Sequence, residues 1–274
     1  MSARLKSFLL WFFAFFFTAF VAIYQRKTGP SYEIRDKTEI DGQSIHYKFI
    51  RTYDGPDNAP IFIQVPDRAI QGEIQLRRYK SNDEWTSKPM KRVGNYLVTF
   101  IPHQPPAGKV MYRITLVKND HQYELTKEPV IIRYKGFVPR GVLIVHIIII
   151  FLAMLFSTRA GLEVLFKGKY TYLYTWITII TLIIGGLILG PVVQKYSFGV
   201  FWAGWPFGHD LTDNKALVAF IFWMIALIIQ IRNREKKIWT IIASIIMLII
   251  FLIPHSTLGS EIDYTKEQKV ETNK

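Results

Sequence analysis

Runs of predominantly apolar residues, about 16–22 long, restrict the fold of this chain more than any other feature of its sequence. A helix rises about 1.5 Å per residue, so about 20 apolar residues cross the roughly 30 Å hydrocarbon core of a bilayer. Five stretches have this character: SFLLWFFAFFFTAFVAIY at 7–24, GVLIVHIIIIFLAMLFS at 141–157, YLYTWITIITLIIGGLILGPVV at 172–193, ALVAFIFWMIALIIQI at 216–231 and IWTIIASIIMLIIFLIP at 238–254. In lipid a helix satisfies its own backbone polar groups, which an irregular chain cannot do. The sequence therefore predicts a multi-span α-helical membrane protein with five transmembrane helices.

The first span, with Arg4 and Lys6 before it, reads as a retained signal anchor within 1–27. Cleavage after Ala19 or Ala22 would place Phe17 or Phe20 where a signal peptidase needs a small residue. The formal net charge of +13 suits a membrane protein, whose cytoplasmic loops collect Lys and Arg. The charges are dispersed around the spans, so no nucleic-acid partner is expected. The chain has no cysteine, which excludes disulfides, thiolate metal sites and a Cys nucleophile.

Residues 28–137 have another composition. SIHYKFIR, PIFIQVP, EIQLRRYK, NYLVTFI, KVMYRITLV, HQYELT and PVIIRYK are short and rich in β-branched and aromatic residues. Turn segments such as TYDGPDNAP, KSNDE, PHQPPAG and KNDH separate them. Val110, Tyr112, Ile114 and Leu116 alternate with Met111, Arg113 and Thr115, as on a half-buried strand. The fold class is thus a helical membrane protein with an inserted all-β antiparallel sandwich. The run GNYLVTFIPHQPPAGKVMYRITL resembles the later strands of extracytoplasmic Ig-like or fibronectin-type-III-like modules. The resemblance covers roughly 25 residues of the module. It implies a binding or spacer module without catalytic residues.

The remaining spans make a four-helix domain over 138–256, followed by a polar tail at 257–274 that composition predicts to be disordered. Arg159, Lys167 and Lys169 follow the second span, and Arg232, Arg234, Lys236 and Lys237 follow the fourth. The loop at 194–215 has only Lys195 and Lys215 against Asp210 and Asp213. This bias puts the N-terminus in the cytoplasm and the β-module, the 194–215 loop and the tail outside, in a bacterial inner membrane. Arg26, Lys27, Arg133, Lys135 and Arg140 oppose that orientation, but long translocated domains follow charge poorly.

Candidate chemistry gathers on the outer side. His146 lies about 8 Å inside the second span, His209 sits in the loop, and His255 follows the fifth span. Asp210, Asp213 and Glu261 accompany them. Imidazoles with carboxylates form a ligand set for zinc, manganese or non-haem iron, and two imidazoles suit haem. The plainer reading makes His146 an interfacial histidine, Asp210, Thr212 and Asp213 helix caps, and Trp202, Trp205 and Tyr196 an aromatic belt. Gly186 and Gly190, four apart, suit close helix packing. His46, His103 and His121 read as surface residues, and no phosphate-loop, nucleophile-elbow or dinucleotide motif is present. Three functions follow. The leading one is presentation of the module for partner binding or complex assembly, without catalysis, through the module or the helices. The second is a metal- or haem-binding protein, and the third a small transport or channel subunit.

Overall fold

The computed structural model describes residues 2–254, 257 and 259–266. The chain forms two compact units, one of Met1–Pro30 with Val138–Ser260 and one of Ser31–Phe137 with Glu261–Lys274.

The helical unit comprises α1 (Ala3–Thr28), α2 (Arg140–Leu165), α3 (Thr171–Leu182), a π-helical stretch (Ile183–Leu189), α4 (Gly190–Phe198), α5 (Leu211–Arg232) and α6 (Ile238–Leu252). Four helices are long and apolar enough to cross a membrane, with α3, the π stretch and α4 counted as one. The fifth expected span forms α6, which has 15 residues and rises about 22 Å. The distribution of side chains is that of a protein dissolved in lipid. Phe8, Phe12, Phe16, Ile147, Ile148, Ile245 and Ile249 are exposed. Ser157, Thr175, Thr178, Gln230 and Thr240 are buried. In water this arrangement would be inverted; against hydrocarbon, apolar residues face out and polar groups bond inside. The chain is membrane-associated.

Helix α2 packs against α1, α3 and α6. Its contact with α6 is close because Gly161 has no side chain: a Cβ there would stand 2.6 Å from Ser244 Oγ. Ser244 donates to the Ser157 carbonyl at 2.9 Å in the same contact. Helix α2 also runs on to Leu165, past the end expected at 157, and carries Arg159 inside. Arg159 and Glu163, one turn apart, form an ion pair, which lets both charges stay in the helix.

The β unit contains β1 (Ile34–Ile40), β2 (Gln43–Phe49), β3 (Thr52–Tyr53), β4 (Ala59–Gln64), β5 (Gln71–Arg78) and β6 (Thr86–Pro89). It continues with β7 (Lys91–Val93), β8 (Tyr96–Ile101), β9 (Lys109–Lys118), β10 (His121–Glu124) and β11 (Val130–Tyr134). The strands pair as a β1–β2 hairpin, a sheet in the order β3–β11–β9–β5–β6 with β10 also on β9, and a sheet in the order β4–β8–β7. Asp41 and Gly42, both at positive φ, close the β1–β2 hairpin, a two-residue turn that matches strand twist. Inward residues of all three sheets share one core, among them Ile45, Phe49, Ile61, Ile63, Ile74, Tyr112, Ile114 and Ile132. The expected alternation in β9 is present: Val110, Tyr112, Ile114 and Leu116 are buried. Residues 261–266, expected to be disordered, lie on this unit. Ile262 N donates to Ala107 O at 3.3 Å and Tyr264 Oη donates to Gln104 Oε1 at 2.9 Å.

Candidate functional site

The loop from 199 to 210 folds onto the first turn of α5. Asp210 caps the helix, its Oδ1 accepting from Thr212 N at 2.9 Å. Its Oδ2 accepts from Ser260 N at 2.9 Å and Ser260 Oγ at 3.0 Å. Asp213 Oδ2 accepts from Ala203 N at 2.7 Å, and Asn214 Oδ1 accepts from Trp205 N at 2.7 Å. The loop must pass very near the helix to make these bonds. A Cβ on Gly204 would stand 2.7 Å from Asn214 Oδ1.

Lys215, one turn into α5, is buried and donates from Nζ to Ile253 O at 2.9 Å and to Pro254 O at 3.5 Å. Gln25 of α1 donates to the same Ile253 carbonyl at 3.2 Å. The last carbonyls of a helix have no partner within it, so an ammonium and an amide from two neighbouring helices complete the end of α6. This clamp was legible only as two polar residues in apolar surroundings.

His146 lies partly buried on α2, and its Nδ1 is 3.0 Å from Gly185 O. A carbonyl only accepts, so Nδ1 carries the proton in that bond. Gly185 belongs to the π stretch, and its carbonyl also accepts from Gly190 N. Within this stretch the tight approach is at Gly185: a Cβ there would stand 3.0 Å from Ile149 and Ile150, against 3.6 Å to Ala216 for Gly186 and 3.5 Å to the Gly185 carbonyl for Gly190.

Five of the six predicted ligands lie among the described residues. His209 is exposed, and Asp210 and Asp213 hold backbone donors. His146 holds the π stretch. Glu261, in the β unit, pairs with Lys80 and with Lys109 at 2.5 Å. Burial opposes its ionisation, but the hydrogen bonds and charges of Lys109 and Lys80 prevail and lower its pKa below the usual 4.5. His255 lies outside the described residues. Among the described residues, no group of three or more His, Asp or Glu side chains is placed to hold a metal ion. His46, His103 and His121 are exposed.

Two buried polar clusters inside the helical unit were not anticipated. Glu163 Oε2 accepts from Arg159, and its Oε1 accepts from Tyr170 N at 3.0 Å. The Arg159 guanidinium lies 5.4 Å from the Trp11 ring and 5.0 Å from the Tyr174 ring, so three helices converge on one ion pair. Farther along, Gln230 Nε2 donates to Thr175 Oγ1 at 2.9 Å and Thr240 Oγ1 at 2.7 Å, joining α5, α3 and α6. The spacing of Arg159 and Glu163, four apart, was the available signal. Apart from Arg159 Nε, which is buried without a hydrogen-bond partner, these groups bond to one another or to backbone, and the geometry serves assembly of the bundle. No known protein family, curated protein or solved structure matches this chain.

Proposed function

We propose that this chain is a five-span protein of the bacterial inner membrane that presents an extracytoplasmic, Ig-like or fibronectin-type-III-like sandwich to a protein partner. The observation that carries the binding reading is the outer face of the β4–β8–β7 sheet. Cross-strand register puts Pro60 beside Phe100, Phe62 beside Val98 and Lys91, and Gln64 beside Tyr96 and Val93. Phe62 and Phe100 are each 54 % exposed, and Val93 and Tyr96 are exposed as well. An apolar, aromatic sheet face with few charges has the composition of an interface core. It is a pleated surface and not a concavity, which suits a protein partner better than a small molecule.

Strand pairing supports the sandwich: β4 and β8 pair in one sheet while β5, β9 and β11 pair in another, so the chain alternates between sheets. The five-span topology draws support from the clamp. Gln25 near the end of α1, Lys215 at the start of α5 and Ile253 after α6 meet at one end of the bundle. Five alternating crossings would produce that arrangement. Lys6, at the start of α1, donates to Phe166 O beyond α2 at 2.7 Å, and the basic links follow α2 and α5. The positive-inside bias then makes that end cytoplasmic.

The absence of cysteine allows a direct test. Single cysteines in place of Phe62 or Phe100 carry a photo-crosslinker in the full-length protein in native membranes. One discrete adduct from both positions, absent with the crosslinker at His46 and suppressed by Tyr96→Ser, is the expected result. Equal labelling from all three positions, or from none, would overturn the reading.

A further inference from the structure

The six-stranded sheet carries a different feature on its outer face. Arg77 of β5 faces Met111 of β9, and Arg113 stands two residues along β9, so the two arginines are diagonal neighbours on one face. Trp85 immediately precedes β6, the strand paired with β5. Both guanidinium carbons lie 5.2 Å from the Trp85 ring centroid. Twice that distance, roughly 10 Å, is the farthest apart the two charges can be, about one Debye length at 0.1 M salt.

Nothing recorded among the described residues neutralises them. No carboxylate lies within 4.0 Å of either guanidinium, whereas neighbouring cations are paired. Arg78 takes Asp83 in a two-point bond at 2.7 and 2.9 Å, Glu261 holds Lys80 and Lys109, and Glu73 accepts from Ser87. Arg77 Nε is moreover buried and has no hydrogen-bond partner. Buried N–H groups in folded proteins nearly always have an acceptor. Stacking on an indole holds a guanidinium by its face and leaves its in-plane donors unused. Two such groups on one ring hold their positive charges and donors within roughly 10 Å of each other.

We infer that Arg77 and Arg113, set against Trp85, form a binding site for a phosphoryl group. Its planar donor forks suit the oxygens of a phosphomonoester or phosphodiester. A soluble phosphorylated molecule and an anionic lipid headgroup share this chemistry. The site lies on a different sheet from the β4–β8–β7 face and does not depend on the partner-binding reading.

Trp85 is the one tryptophan between residues 31 and 137, so its signal is the difference between wild type and Trp85→Phe. The full chain in maltoside detergent is titrated with inorganic phosphate, with chloride at equal ionic strength as control, and separately with dioctanoyl phosphatidylglycerol. A saturable change with either phosphoryl probe is expected, weakened at least tenfold by Arg113→Gln and less by Arg113→Lys. Arg113 is exposed, so both variants keep the core intact. Response to phosphate assigns a soluble ligand, and response to the lipid alone assigns a headgroup. No saturable change with either probe, a chloride response equal to phosphate, or unchanged affinity in Arg113→Gln would overturn the site.

Discussion

Arg159→Met should be among the most destabilising single changes in the helical unit. Arg159 is 1 % exposed and Glu163 3 %. Removing the arginine leaves the carboxylate enclosed with, among the described residues, only Tyr170 N as donor. It also removes the guanidinium from the Trp11 and Tyr174 rings, contacts of about 0.5–2 kcal/mol each. Breaking one side of a buried ion pair costs about 3–5 kcal/mol, because the remaining charge is left without its partner. Glu163→Gln leaves the opposite charge and should cost a similar amount. The double variant Arg159→Met/Glu163→Gln removes both charges, so it should lie closer to wild type than the sum of the singles by about 2 kcal/mol or more. Unfolding of the full chain by SDS in mixed micelles measures all three. Singles that each lose less than about 1 kcal/mol, or singles that add without coupling, would refute the reasoning.

Three further outcomes follow from the same contacts. Tyr264→Ala removes a buried ring that lies 4.5 Å from Arg78 and a hydroxyl bonded to Gln104; residues 261–266 should then exchange amide hydrogens at least tenfold faster, while β9 is unchanged. Acid should release the same segment. The Glu261 pKa is lowered, so its contribution is present above the ordinary 4.5 and is lost as pH falls through the folded value. The Lys80 pKa is raised, chiefly by its hydrogen bond to Glu261, so its contribution is present below 10.5 and lost as pH rises through the folded value. Hydrogen exchange against pH should therefore show the segment protected between these limits. Gly161→Ala forces a methyl group against Ser244 and should destabilise by about 1–3 kcal/mol in the micelle assay, with Ser244→Ala in the same chain relieving part of it.

How much of this was legible in the sequence depended on range. Val110 to Leu116 alternate because a strand has period two, and the alternation survives intact. β1, IRDKTEI, was missed because it pairs only with β2 and most of its length is solvated, so it needs little apolar content. β6 was missed for the same reason, with all four residues exposed. Asp210 and Thr212 at the start of α5 were readable as a cap from local pattern. The bond from Asp210 to Ser260, fifty residues away, was not. Arg159 read as a loop charge because a lone arginine is unfavourable in lipid. The ion pair with Glu163 and the rings of Trp11 and Tyr174, from two other helices, changes that balance.

The sequence by itself determined that the chain is a set of membrane-length apolar helices with a β unit between the first two. Length, hydropathy and strand period are local properties of the chain. Only the tertiary structure decided which polar groups meet. It set Asp213 on Ala203 N and Glu261 on Lys109, joined Lys215 and Gln25 on one carbonyl, and placed Arg77 and Arg113 on one indole. The reason is that an apolar run specifies burial or lipid contact but not a neighbour. Partners are chosen by helix packing and strand register, which bring together residues whose separation in sequence carries no sign of it.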